Sequence, residues 1–138
     1  MIVIIRIAGM VDRSAEVEST LSRLRLRRKF ACSIFEETPE TMGMIKKIRS
    51  FVAYGEIDKA TLIELIKQRG QALDKTKKID AEKTAEILLK EKSFDKTGIK
   101  PFFRLHPARG GINSKQHFPA GVLGEHKEKI NDLIRRML

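Results

Sequence analysis

Three short runs rich in apolar and β-branched residues, at positions 2–8, 31–35 and 51–54, alternate with two amphipathic stretches inside the first 55 residues. Runs of that length bounded by turn signals read as buried strands, and apolar residues recurring every three or four positions read as helices. The order is therefore β-α-β-α-β. Asp12 or Ser14 can cap a first helix in which Val17, Leu21 and Leu24 share a face. Thr38 caps the second, with Pro39 at its first position, where a missing N–H costs nothing. That helix carries Met42, Ile45 and Ile48 inward and Lys46, Lys47 and Arg49 outward, and Gly55 is expected to end the third strand.

Beyond this unit, Asp58 starts a helix with Leu62, Leu65 and Ile66 on one face and Gly70 at its end. A charged connection at 74–78 leads to Asp80 and another helix over 81–92, where Ala85, Leu88 and Leu89 group together. From 93 to 124 the pattern turns irregular, with three prolines, five glycines and one brief extended piece at 102–105. A closing helix over 125–137 carries an apolar stripe of Ile130, Leu133, Ile134 and Met137. The expected organisation is a core at 1–55 and an extension at 56–138, comprising two packing helices, a basic loop at 96–124 and a C-terminal helix, packed with the core as one unit. A chain of 138 residues suffices for one hydrophobic core without staples.

The net charge of +10 is unevenly spread. Residues 1–35 hold 7 basic and 3 acidic groups, residues 36–95 hold 12 of each, and residues 96–138 hold 9 and 3. Two tracts contain no carboxylate: 19–35, with Arg23, Arg25, Arg27, Arg28 and Lys29, and 96–124, with Lys96, Lys100, Arg104, Arg109, Lys115, His106 and His117. One or two cations at a helix C-terminus are explained by the macrodipole. Five are not, and like charges crowded this way repel unless a polyanion neutralises them. Phe102, Phe103 and Phe118 among the cations, and Gly110 and Gly111, where backbone can approach phosphate closely, favour nucleic acid. Neither tract is an amphipathic helix with a broad apolar face, which argues against a membrane surface.

Catalytic constellations are poorly supplied. Cys32 is the only cysteine, so no intrachain disulfide can form, and its place in a strand reads as a small buried hydrophobe. His106, His117 and His126 are spaced by 11 and 9, with no neighbouring Cys or Asp at metal-ligand spacing. No phosphate-loop motif is present, and the paired Glu36-Glu37 reads as a strand entering a turn. His106 among cations could serve as an acid or base, but a hydrogen bond to phosphate or a stack on a base is the better expectation. The reading is a non-enzyme without cofactor, metal or small-molecule substrate. Met1 to Ala8 lacks the features of a secretory signal, and no stretch approaches the roughly 20 apolar residues of a membrane span, so a cytoplasmic protein is expected.

The segment Thr20-Leu21-x-x-Leu24-x-Leu26-x-Arg28 and the later Met44-Ile45-x-x-Ile48-x-x-Phe51-Val52, in their β-α-β-α-β setting, resemble the large-subunit ribosomal protein family L thirty, whose eukaryotic member is called L seven. Arg104-Leu105-His106-Pro107-Ala108-Arg109-Gly110-Gly111-Ile112, followed by Gly121-Val122-Leu123-Gly124, is similar to the C-terminal extension of the longer, archaeal-type members. Ala31, Met42 and Ala108 depart from the family pattern and leave both framework blocks intact. The resemblance implies an α+β fold with a small three-stranded antiparallel sheet, ferredoxin-like, plus a helical and loop-rich extension. It also implies a non-catalytic constituent of the large subunit that binds large-subunit rRNA beside neighbouring ribosomal proteins.

On this reading Arg23, Arg25, Arg27, Arg28 and Lys29, with Lys46, Lys47 and Arg49, face rRNA phosphates. Lys100, Arg104, His106, Arg109, Gly110, Gly111, Lys115 and His117 thread between RNA helices. From the residues alone, a free-standing RNA-binding regulator or assembly factor stays open. The tract 96–124 is expected to become ordered on its partner. Protease should cut it in the isolated protein and spare it in the complex, whereas equal protection in both states would place it on its own domain.

Overall fold

A computed structural model describes residues 1–7, 15–49, 51–70, 80–91, 99–100, 102–106 and 124–138. Its elements are β1 (Ile2–Arg6), α1 (Ala15–Arg23), β2 (Ala31–Phe35), α2 (Pro39–Ile48), β3 (Val52–Glu56), α3 (Lys59–Arg69), α4 (Ala81–Glu91), β4 (Phe103–Arg104), β5 (Gly124–Glu125) and α5 (Ile130–Met137). A 3-10 turn, Lys127–Lys129, leads into α5. The fold is α+β, as expected.

One sheet of order β4-β2-β1-β3-β5 runs through the molecule. β1 is antiparallel to β2, with Ile2 opposite Phe35, and antiparallel to β3, with Ile2 opposite Glu56. These are the three antiparallel strands read from the sequence, but the sheet is wider than expected. The extension adds two residues to each edge: β4 antiparallel to β2, and β5 parallel to β3. An open edge of unpaired N–H and C=O groups is a liability, and each short strand covers two residues of it.

β1 is central because it is apolar on both faces. Val3, Ile5 and Ile7 join Cys32, Ile34 and Ala53 beneath Leu62, Leu65, Leu88, Ile134 and Met137 of α3, α4 and α5. Ile2 and Ile4 join Ala31, Val52 and Tyr54 beneath Leu21 of α1 and Ile45 and Ile48 of α2. The sheet is thus the middle of three layers, and the apolar cluster on the first face draws on both the first 55 residues and the extension.

The caps follow the sequence. Thr38 Oγ1 accepts from the Thr41 amide at 3.2 Å, with Pro39 opening α2. Asp58 Oδ1 accepts from the Thr61 amide at 2.7 Å, and that bond holds the Asp58 carboxyl below the usual carboxylate range. Gly70 does close α3, but at φ −64 rather than in the left-handed region. A Cβ there would lie 2.5 Å from the Ile66 carbonyl oxygen, so crowding rather than handedness accounts for the glycine.

The expected cap of the first helix, Asp12 or Ser14, lies outside the described residues. Two boundaries differ from expectation. Glu125, expected to start the closing helix, is in β5 instead, because its backbone pairs with Tyr54 and the helix begins only at Ile130. Gly55, expected to end β3, lies within it opposite Val3. A Cβ at Gly55 would sit 2.3 Å from the Lys127 carbonyl oxygen and 2.9 Å from Ile130 Cβ, so this glycine marks where the approach to α5 crosses the sheet. Gly55→Ala should therefore destabilise the fold by about 1–3 kcal/mol, measured as a lowered midpoint in urea with an unchanged m-value.

Candidate nucleic-acid interface

After α1 the chain reads Leu24-Arg25-Leu26-Arg27-Arg28-Lys29 before β2 begins. The alternation has a direct structural meaning: Leu24 and Leu26 are buried, while Arg25, Arg27, Arg28 and Lys29 are exposed. The leucines sink into the cluster beneath α1 and α2. The loop is then fixed by backbone bonds, Leu26 N–H donating to the Leu21 carbonyl at 2.8 Å and Phe30 N–H to the Arg6 carbonyl at 2.7 Å. Arg25 and Phe30 both take positive φ, 60° and 64°.

Arg6 holds this arrangement from inside. It ends β1, is only 1% exposed, and donates from a guanidinium nitrogen to the Leu26 carbonyl oxygen at 2.7 Å. The apolar run at 2–8 gives no hint of this role by itself. The signal that could have singled it out is a full charge in the middle strand of a sheet, a position that demands a buried partner.

The second acid-free tract meets the first at this point. Ala31 pairs with Arg104 and Cys32 with Phe103, and Leu105 N–H donates to the Phe30 carbonyl at 3.1 Å. Strand alternation sends Phe103 into the core and leaves Arg104 exposed and Phe102 half-buried on the opposite side. Between the loop and β4 lies a groove of about 510 Å³, walled by Arg25, Arg27, Arg28, Lys29, Arg104 and Phe102, with no carboxylate in its lining among the described residues. The Arg104 guanidinium stands 5.8 Å from the Phe102 ring centroid, and Lys29 Nζ stands 5.1 Å from that of Phe30.

The α2 cations arrive at the same end of the sheet, since α2 ends shortly before Val52, the partner of Arg6. Lys46, Lys47 and Arg49 are exposed there. Lys47 reaches Glu16 at 3.3 Å, a solvent-exposed pair worth little. Arg23 is exposed at the end of α1 and does not line the groove. Lys100 is half-buried. His106 turns toward α5: its amide donates to the Met137 carbonyl at 3.1 Å and its Nε2 is hydrogen-bonded to the Leu138 main-chain oxygen. Arg109, Gly110, Gly111, Lys115 and His117 lie outside the described residues.

Cys32 is buried, which pushes its thiol pKa up and keeps it protonated. Among the described residues no three His, Cys, Asp or Glu side chains group as metal ligands. Among the same residues no helix is long and apolar enough to cross a membrane. A second groove, of about 460 Å³ beside Tyr54, is lined by Glu37, Glu56, Glu125 and Glu128 together with Lys127 and Lys129. The two grooves thus differ sharply in charge.

The model of the family described as Ribosomal protein L30p/L7e matches residues 2–52. Over nearly its whole length the chain is similar to archaeal proteins called large ribosomal subunit protein uL30. It is 38% identical to that of Archaeoglobus fulgidus across 99% of each chain. It is 40% identical to that of Nanoarchaeum equitans across 98% of this chain and 97% of the relative. For Hyperthermus butylicus the identity is 41%, across 98% and 88%.

Arg6→Met removes the buried donor while keeping the apolar stem, so the Leu26 carbonyl loses a charge-assisted bond. The expected cost is about 1.5–3 kcal/mol of stability, with faster amide exchange in 24–30 than in the rest of the sheet. Uniform exchange would show that Arg6 does not anchor the loop.

Proposed function

The chain belongs to the ribosomal protein L30p/L7e family and is a non-enzymatic constituent of the large ribosomal subunit; we propose that its part there is to bind large-subunit rRNA through its basic tracts and to stabilise the RNA fold. The observation that carries this reading is the groove in which two acid-free tracts, distant in sequence, present five cations of one sign. Its surroundings supply further positive groups, with Lys46 and Arg49 extending the cationic end of the sheet. Such an array suits phosphates, which fix register and orientation, more than it suits base edges.

In this proposal residues 1–55 form the rRNA-binding core and residues 56–138 an extension that acts with it as one unit. Arg23, Lys47 and Lys100 border the contact. His106, whose Nε2 is hydrogen-bonded to the Leu138 main-chain oxygen, and Arg109, Gly110, Gly111, Lys115 and His117 continue the second tract along the RNA. Partners are large-subunit rRNA and neighbouring ribosomal proteins, and the place of action is the cytoplasmic large subunit.

Each neutralised phosphate adds about 0.7–0.9 to the slope of log K against log salt. Replacing Arg27, Arg28 and Lys29 together by alanine should therefore flatten the slope of rRNA binding by about 2–3. An unchanged slope would remove the first tract from the interface. Sedimentation in a high-salt wash completes the test, since a stoichiometric constituent stays with large subunits and a transient visitor does not.

A further inference from the structure

We infer that the groove between the 24–30 loop and β4 takes one unstacked nucleotide of the RNA, with its base on the Phe102 ring and its phosphate among Arg25, Arg27 and Arg28. The inference rests on the rRNA-binding reading above and adds the manner of contact.

Phe102 is the residue that calls for an explanation beyond charge. Phe30, Phe35 and Phe51 are also half-buried, yet each packs against one of the two apolar clusters. Phe103 is inside the first cluster. Among the described residues Phe102 joins neither, and its ring instead forms part of the groove wall. An aromatic ring held at the surface by a paired strand, with cations around it, offers what a splayed-out base needs: a flat apolar face and nearby neutralisation of the phosphate. Arg104, 5.8 Å from the ring centroid, widens the platform, because a guanidinium plane also stacks on bases.

Size and charge narrow the occupant. A groove of about 510 Å³ falls in the range of clefts that hold small ligands, which is room for one nucleotide. Among the described residues no carboxylate lines it, so none of those walls repels a phosphate. Aromatic side chains stack on RNA bases that are splayed out of a helix, so the nucleotide comes from a bulge, loop or strand end.

The chain contains no tryptophan, so Phe102→Trp places a single reporter in the groove. With large-subunit rRNA its fluorescence should be quenched to saturation as a base stacks on the indole. Polyphosphate, which neutralises the cations but carries no base, should bind without that quenching. Phe102→Leu keeps apolar bulk and loses the π face. It should weaken rRNA binding roughly fivefold or more with the salt slope unchanged, and Phe102→Tyr should restore the affinity. Equal quenching by both polyanions, or a Phe102→Leu protein that binds like the unaltered chain, would overturn the nucleotide site. The phosphate contacts would still stand on the salt slope of the Arg27, Arg28 and Lys29 variant. Absence of any rRNA binding by the unaltered chain would end both readings.

Discussion

Burial of β1 on both faces and both edges is the constraint from which the rest of the molecule follows. Ile2 and Ile4 feed one apolar cluster and Val3 and Ile5 the other, and each side chain so buried contributes roughly 1.5–3 kcal/mol relative to exposure. With β2 and β3 both antiparallel to β1, they run parallel to each other, and α2 becomes the crossover between them. That crossover, with α1, covers one face of the sheet. The other face, carrying Val3, Ile5, Cys32 and Ala53, would meet water if α3, α4 and α5 did not cover it. The first 55 residues therefore specify a sheet but bury only one side of it, and the extension is a structural necessity before it is anything else.

At its end the same strand turns from core to surface. Arg6 continues β1, but its guanidinium is bonded to Leu26, and its carbonyl receives Phe30 N–H. The cationic loop is thereby tied at Leu26 and at Phe30 to the central strand of the sheet. Ion pairs such as Lys59 with Glu86 at 3.5 Å and Arg135 with Glu64 at 3.7 Å belong to the helices on the opposite face, where acidic residues lie among the basic ones. The loop is organised by buried leucines and backbone bonds instead. Because no carboxylate among the described residues is used to hold it, those groups leave its positive field uncancelled, and in a concave site such a field is felt over about a Debye length.

Legibility followed the range of the interactions. The β-α-β-α-β order, the Thr38 and Pro39 start of α2 and the Asp58 cap of α3 are decided within a few residues, and all were visible in the sequence. So were the two acid-free tracts, because charge is written in composition. Their meeting was not. It depends on Ala31 opposite Arg104, a pairing across most of the chain that no local period announces. β5 was missed for a related reason: two residues, Gly124 and Glu125, carry no alternation, and a glutamate ahead of an apolar stripe looks like a helix start. Gly55 was read by the usual meaning of glycine, a stop, when the requirement was space for the Lys127 carbonyl.

The left-handed residues of the loop show how stability and binding are weighed against each other. Glycine takes positive φ freely, whereas another residue held there costs on the order of 1–3 kcal/mol. The chain nonetheless places Arg25 and Phe30 at φ 60° and 64°. Glycine at 25 would remove a cation from the groove, and glycine at 30 would remove a ring that packs on the core. The strain is offset by Leu24 and Leu26 on either side of Arg25 and by the Arg6 bond to Leu26, so the loop is held in shape before any polyanion arrives. A floppy loop with the same five cations would have the same charge and the same salt dependence. It would bind more weakly, since ordering each long side chain on contact costs about 0.5–1.5 kcal/mol. What the fold adds to the charge is therefore geometry, and the two strained residues are where that addition is visible.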